Sequence, residues 1–533
     1  MTDLENKLRG GYYTPEPVAK FICEWAIRSP ESSVLEPSCG DGAFIQAANA
    51  RLQELGSQNP SEQILGVELY PREAEKASTK GGQVVCGDFF AQCQDGLGER
   101  RFDVVVGNPP FIRYQDFDES YRTSAFDLMR RYGFSPNRLT NIWLPFLVVC
   151  SHLLTEDGSL GMVIPAELFQ VKYAAEARRF LMDFFASVTI VTFSELLFDG
   201  AQQEVVLLLA RRSALGGEQG VRIIEKKDAN ALAGLTTRVI SEMPLKGKLP
   251  DSMKWQAYYL EDKALDLITE LEARRDVYTS SELFDVNVGV VSGQNSFFVV
   301  DEKTARANHI KSSCVPIVSR SLQLDGLSFT EKDFQRQLDL QRKVLLFLPA
   351  GDLGDDEAAY VRLGEKKGYD RNFKCHIRKP WYTVPTSWVP DAFFYRQVGA
   401  YPRMVINSKA AQTTDTLHKV KFSEGVDGKS VAVAFNNSLT FVVSELMGRS
   451  YGGGVLTFEP SEARSLPIPF ERSLEFDFEK ADSLARTGEV EQLLDYVDSI
   501  LLINVLGLDK SDVRLLRESW HILRDRRLNR KKR

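Results

Sequence analysis

The sequence predicts an α/β chain, with a doubly wound parallel sheet in its first half and a mixed α+β body behind it. Three observations carry that expectation. Short apolar runs at Val34–Leu35, Ile64–Val67, Val84–Val85 and Phe102–Val106 recur between helical stretches, the alternation of a parallel βαβ sheet. Each run leads into an acid or an amide, at Glu36, Glu68, Asp88 and Asn108, where ligands of open α/β sheets sit. A Pro-containing break, MPLKGKLPDS at 243–252, then sets this half apart from the rest of the chain.

A chain of 533 residues exceeds what one core usually serves, so two or three domains are expected. With 43% hydrophobic and 26% charged residues the composition is that of a globular protein. The longest apolar run, Ile142–Leu154, is interrupted by Pro145 and His152 and suits a buried helix better than a membrane span. The opening MTDLENKLRGG has no apolar core, and the seven cysteines contain no CxxC pair. A reducing cytoplasm, no disulfide framework, no metal site and no membrane contact are therefore expected. The net charge is −7, but residues 1–245 hold 24 Lys and Arg against 32 Asp and Glu, leaving 42 against 41 for the remainder. An acidic front and a neutral back with a basic tail fit a polyanion partner gripped mainly by the second half.

In chain order, YYTPEPVAKF opens a helix, with Thr14 as expected N-cap and Pro15 at the first helical position. Strand Val34–Leu35 then runs into the turn Glu36-Pro37-Ser38-Cys39-Gly40-Asp41-Gly42, and a helix follows from Ala43. The turn is neither GxGxxG nor a Walker loop, and its acids Glu36 and Asp41 repel phosphate and favour a ligand with a cationic end. Glu68 lies where a carboxylate can accept both hydroxyls of a ribose. Asp88 and Phe89 lie where an acid can accept an adenine amino proton and a ring can cover the base. The fourth strand leads into Asn108-Pro109-Pro110-Phe111, and two prolines force a stiff loop. There the Asn108 oxygen and the Pro109 carbonyl can accept the two N–H bonds of a planar amine while Phe111 stacks on its ring. Those four residues alone fit a strand ending in a Pro-rich turn equally well; the upstream motifs decide between the two.

EPSCGDGAF, Glu68, GDFF and GNPPF, in this order and preceded by YYTPEPVAKF, resemble a γ-class DNA adenine-N6 methyltransferase of the TaqI type. The resemblance implies a seven-stranded, Rossmann-like, S-adenosylmethionine-dependent methyltransferase domain. It also implies that Thr14 and the turn residues Glu36, Ser38, Cys39 and Gly40 contact the methionine end of the cofactor, with Pro110 beside it. Glu68 takes the ribose, and Asp88 and Phe89 the adenine. Asn108, Pro109 and Phe111 hold the target amine, and a second ring is supplied from the loop SELLFDGAQQE, where Phe198 matches. A hydrophobic plug at a hairpin tip fits Phe198 as well. Phe111 stands where the family commonly has Tyr, which keeps the stacking face.

Farther along, Asn137–Gly158 reads as a long helix with a turn. Ser159–Ile164 reads as a strand, Ala174–Phe185 as a helix, and Val188–Phe193 and Val205–Leu209 as strands. The ExK triplet at Glu225–Lys227 has no well-placed upstream Asp, so a nuclease is not indicated. Trp255–Arg275 reads as a linker helix, and Phe284–Asp301 as two strands around Gly293-Gln294-Asn295. The latter segment resembles the opening of target-recognition regions in this methyltransferase group. RNFKCHIRKPWYTVPTSW interleaves Arg371, Lys374, Arg378 and Lys379 with Phe373, Trp381, Tyr382 and Trp388, a composition suited to phosphate contacts and a groove wedge. A plain amphipathic strand pair is the alternative. The expected layout is a catalytic domain at 1–245, a helical linker at 246–275, a DNA target-recognition domain at 276–470 and a helical segment with a basic tail at 471–533. A monomer is expected, acting on duplex DNA, either beside a separate cognate restriction endonuclease for the same site or as an orphan. NPP[YF] also occurs in methyltransferases of RNA and of protein glutamine; the extra mass behind the catalytic half favours DNA.

Overall fold

Along the strands of the first half, apolar side chains point alternately to the two faces, so both faces must be covered by helices. The computed structural model describes residues 13–529 except 113–115, 117–118, 170–173, 196, 198–203, 214–218, 251–252, 387 and 452–453. The chain divides into two compact units, Met1–Tyr259 and Leu260–Arg533.

In the first unit one sheet holds β1 (Val34–Glu36), β2 (Ile64–Glu68), β3 (Gln83–Cys86), β4 (Phe102–Gly107), β5 (Leu154–Pro165), β6 (Ser187–Phe193), β7 (Val205–Arg211) and β8 (Gly220–Lys226). Their order is β3-β2-β1-β4-β5-β7-β6-β8. β1 to β5 run parallel, β7 is antiparallel to both its neighbours, and β8 is parallel to β6. Seven strands were expected; the eighth adds to the β6 edge, with Val221 and Ile224 buried along it. It also absorbs most of the ExK triplet. Leu35, Leu65, Val67, Val105 and Leu160 pack on one face. Val34, Ile64, Val104, Val106 and Val163 pack on the other. β1 lies between β2 and β4, so the strand order reverses there and the crevice opens at the carboxyl ends of these strands.

Several local expectations are corrected. The first helix runs Glu16–Ala26 with Pro15 at its cap and no side-chain cap bond; the Thr14 hydroxyl is engaged elsewhere. The long helix expected over Asn137–Gly158 is shorter, Trp143–His152, and β5 starts at Leu154. An Asn137 side chain accepting from the Leu139 N–H (2.8 Å) and Thr140 Oγ1 accepting from the Asn137 N–H (3.0 Å) hold the preceding residues in a turn. At the first βα turn Gly42 has φ +88° and a Cβ there would stand 2.9 Å from the Ala77 Cα, so both conformation and space call for glycine.

The second unit is mixed. Phe284–Val288, Leu417–Phe422, Ala392–Tyr395 and Met404–Ile406 form one antiparallel sheet in that order. Val299–Val300, Leu345–Phe347, Cys314–Val318 and Gln412–Thr413 form another. Phe284–Asp301 is thus not a strand pair: its two strands belong to different sheets, with a short helix, Asn295–Phe298, between them. The expected linker helix is a 3₁₀ segment, Trp255–Tyr259, in the first unit and a helix, Asp262–Glu272, in the second. Pro467–Pro469 pairs antiparallel with Val277–Thr279. The C-terminal helices are integral to the second unit: Ala481, Leu493 and Val497 lie in its core. The last helix, Lys510–Asn529, is pinned by Arg527, which donates to both Glu445 oxygens and to the Gly399 and Gly454 carbonyls. The end of the basic tail, 530–533, lies outside the described residues.

Gly42→Ala is expected to destabilise the first unit by about 1–2 kcal/mol, the cost of a side chain in a left-handed backbone. Denaturant unfolding followed by tryptophan fluorescence checks this, and an unchanged midpoint would mean that the turn relaxes freely.

Candidate active site at the strand tips

β1 and β2 carry their terminal carboxylates inside the protein, Glu36 at 2% and Glu68 at 7% exposure. Both oxygens of Glu68 are used: Oε2 accepts from the Gly40 N–H at 2.8 Å and Oε1 from the Tyr70 N–H at 2.9 Å. The Cys39 N–H meanwhile donates to the Val67 carbonyl at 2.9 Å. The β1 turn is therefore tied to the tip of β2 by two bonds. One of them is charge-assisted and stronger than a neutral bond.

Glu36 differs, because its Oε2 is buried and has no hydrogen-bond partner. Burial pushes its carboxyl well above the usual carboxylate range, against a backbone hydrogen bond from Ile45, and the negative charges of Asp41 and Glu68 add to the rise. Burial likewise raises Glu68, opposed by the N–H groups of Tyr70 and Gly40. Asp41 is raised by burial and then by Glu73. Acids crowded in low dielectric lose their charge unless a cation joins them. An orphaned carboxylate oxygen beside further acids fits a ligand with a positive end and disfavours a phosphate.

The tip of β4 joins the same cluster. The Asn108 amide donates from Nδ2 to the Thr14 hydroxyl at 3.2 Å, and the Ser38 hydroxyl donates to the Asn108 carbonyl at 3.5 Å. Its nitrogen end is thereby directed at Thr14, which fixes which way the amide lies. Phe111 is partly buried and packs against the cores on both faces of the sheet, while Pro109 is buried and Pro110 partly so. Cys39 is buried, its thiol pushed far up by burial, and so inert.

Asp88 and Phe89 also have partners inside the fold. Asp88 caps the helix Phe89–Gln94, accepting from the Ala91 N–H at 2.9 Å. Phe89 lies at 3% exposure, stacked on Phe146 with centroids 5.3 Å apart. Phe198 lies outside the described residues. Tyr13, which sequence reasoning passed over, donates from its hydroxyl to Glu73 Oε2 at 3.2 Å and ties the entry segment to the helix after β2. No spacing rule connects residues 60 positions apart; the adjacent aromatic pair before Thr14 was the available signal.

In the second unit the basic–aromatic segment does not form strands. It forms a turn and a short helix, Phe373–His376. Arg371, Lys374 and Lys379 are exposed. Arg378 instead donates to the Ser292 and Val291 carbonyls at 2.6 and 2.5 Å. Trp381 donates to Glu365 at 3.1 Å, and its ring lies 5.2 Å from that of Phe297. Those two side chains hold the segment onto the Gly293 turn.

Residues 1–243 match the N-6 DNA Methylase family, and residues 252–502 match the C-terminal domain of Type II methyltransferase M.Eco57I. Type II methyltransferase M.AccI of Acinetobacter calcoaceticus is 20% identical over 473 residues, spanning 85% of this chain and 83% of the relative. M.XamI of Xanthomonas campestris pv. amaranthicola is 22% identical over 478 residues, spanning 86% and 85%. Among solved structures, the Type IIL restriction-modification enzyme MmeI in complex with DNA shares the fold with a TM-score of 0.56 at 10% identity, covering 93% of this chain and 73% of that one. The catalytic half thus matches the N-6 DNA Methylase family and most of the second half a Type II methyltransferase domain, and the chain is an adenine-specific DNA methyltransferase.

Proposed function

We propose that this enzyme methylates N6 of an adenine flipped out of duplex DNA, with S-adenosylmethionine as donor, as the modification partner in a restriction-modification system. The single observation that carries the donor and site assignment is the joining of the strand tips. An orphaned buried acid, Glu36, and an amide oriented by Thr14, Asn108, meet through Ser38 on one turn. S-Adenosylmethionine, when bound, supplies a methyl carbon made electrophilic by a sulfonium. Glu36 and the Ser38–Gly40 turn would hold its cationic end, Glu68 its ribose, and Asp88 and Phe89 would border its adenine.

The chain's part in the reaction is orientation. An aromatic amine is a poor nucleophile because its lone pair is delocalised into the ring. Asn108 Oδ1 and the Pro109 carbonyl accept its two N–H bonds, which localises the pair and aims it. Phe111 stacks on the extruded base, and Phe198 is the proposed second ring. Catalysis of this kind rests on positioning and fixed dipoles, so no histidine is required. Arg371, Lys374 and Lys379 are the proposed phosphate contacts, with Arg378 and Trp381 supporting their segment. We place the enzyme in the cytoplasm, acting as a monomer beside a separate endonuclease.

Asn108→Ala should lower methyl transfer by a factor on the order of 10²–10³, the worth of a fixed hydrogen-bonding group, while cofactor affinity persists. Unchanged turnover would remove the catalytic assignment. Thr14→Val should lower kcat in the same direction but less, with little change in cofactor affinity; equal kcat would mean that the amide needs no orienting partner. Glu36 gives a pH prediction. Burial raises its carboxyl, so in the cofactor-free protein it keeps its proton to higher pH than a free carboxyl does, a contribution to stability that is present below the usual carboxylate range and lost as pH rises through the raised value. A bound cation favours the carboxylate, so cofactor binding should release a proton and tighten with rising pH across that window. Glu36→Gln should flatten the dependence in calorimetry, and an identical pH profile would contradict it.

A further inference from the structure

The segment 371–379 presents two side chains that the fold does not use. Phe373 is 74% exposed and Ile377 60%, the largest exposures of apolar side chains in this part of the chain. They stand four residues apart, on one side of the short helix and the turn that ends it. The other side is fastened. The Asn372 amide donates to Gln294 Oε1 at 2.7 Å, the Cys375 thiol faces the Ser292 carbonyl, and Arg378 donates to the Ser292 and Val291 carbonyls. Gly293, at φ +84°, sits so close that a Cβ there would meet the Lys374 Cβ at 2.9 Å. An exposed phenylalanine on a frayed terminus would mean little; this one stands on a platform held by three side chains.

Its surroundings are positive. Lys366, Lys367, Arg371, Lys374 and Lys379 are all exposed within a few turns of it, and the Lys374 ammonium lies 5.6 Å from the Phe373 ring centroid. Of the two acids in this stretch, Glu365 accepts from the Trp381 indole N–H, and Asp370 is only partly exposed. In a protein of net charge −7 such a concentration of positive charge is a local surface for a polyanion. An apolar knob ringed by cations matches the stacked bases and flanking phosphates of a duplex. Apolar side chains inserted between base steps unstack them and bend the helix axis.

We propose that Phe373, backed by Ile377, inserts between base pairs of the bound duplex, while Lys374 and Lys379 take the phosphates on either side. The proposal rests on the reading of the enzyme as acting on duplex DNA and adds how the second unit distorts it. The wedge lowers the cost of deforming the duplex, so its contribution should disappear when the step is already unstacked.

The test uses the full-length protein and a 30-base-pair duplex carrying the site at which wild-type enzyme places methyl groups, mapped beforehand by sequencing. Loss of methylation by the wild type would sink the functional reading itself, separately from the wedge. With that control in place, Phe373→Ala should weaken binding to the intact duplex by about ten- to a hundredfold, the worth of one stacking contact. It should also lose the fluorescence rise of 2-aminopurine at the wedged step. Most of the lost affinity should return on a duplex with a mismatch there. Phe373→Trp should retain wild-type behaviour. Lys374→Gln should reduce the salt slope and leave the 2-aminopurine signal. Equal affinity of Phe373→Ala and wild type for the intact duplex would overturn the proposal. So would a change confined to self-association in sedimentation, which would make the knob a protein contact.

Discussion

The catalytic half depends on one constraint: carboxylates held inside the protein at the ends of adjacent parallel strands, with acids rather than bases as the charges acting on Glu36. Burial costs a lone carboxylate its charge, and the fold meets that cost in two ways. Glu68 is satisfied internally, by the N–H groups of Gly40 and Tyr70, and so becomes the clasp between the first turn and the second strand. Glu36 is not satisfied, and is left protonated or in need of a cation from outside. The same turn carries Ser38 to the Asn108 carbonyl. The region that selects a cationic ligand is thus mechanically joined to the amide proposed to grip the base. Thr14 closes the ring from the entry segment.

Positioning in such a site comes from the backbone as much as from side chains. β1 is only three residues long, yet it is flanked on both sides by parallel neighbours, and the chain must leave it sharply. Gly42 turns where a side chain would collide with the Ala77 backbone. The prolines after Asn108 end the ladder, and the loop beyond is fastened where the Ile142 N–H donates to the Ile112 carbonyl at 3.1 Å. A planar amine can be oriented only by groups that do not themselves move.

The order of motifs was legible in the sequence because strand tips are fixed by chain order and by continuous apolar runs: Glu36, Glu68, Asp88 and Asn108 each stand where those runs end. What the sequence left open were the partners of those side chains. Thr14 looked like a helix cap and bonds Asn108 instead, since the helix starts one residue later than expected, with Pro15 at the cap. Asp88, set at a strand tip, caps the next helix, and Phe89 turns inward onto Phe146. The eighth strand and the early start of β5 were missed because a short apolar run says nothing about which edge it will join. In the second unit two stretches singled out separately, around Gly293 and around Arg378, prove to be one construction. Contacts 86 residues apart leave no periodic trace. Basic and aromatic residues that looked interchangeable divide there into anchors, Arg378 and Trp381, and exposed groups, Arg371, Phe373, Lys374 and Lys379.

The central claim is that a proline corner beside an acidic, cation-seeking pocket makes an adenine amino group reactive. Mass spectrometry of nucleosides from duplex DNA, incubated with purified protein and S-adenosylmethionine, addresses it most directly. The account requires N6-methyladenine in the wild-type digest and its loss with Asn108→Ala. Methyl groups on cytosine alone, or no modified adenine from a protein that binds both cofactor and DNA, would contradict it.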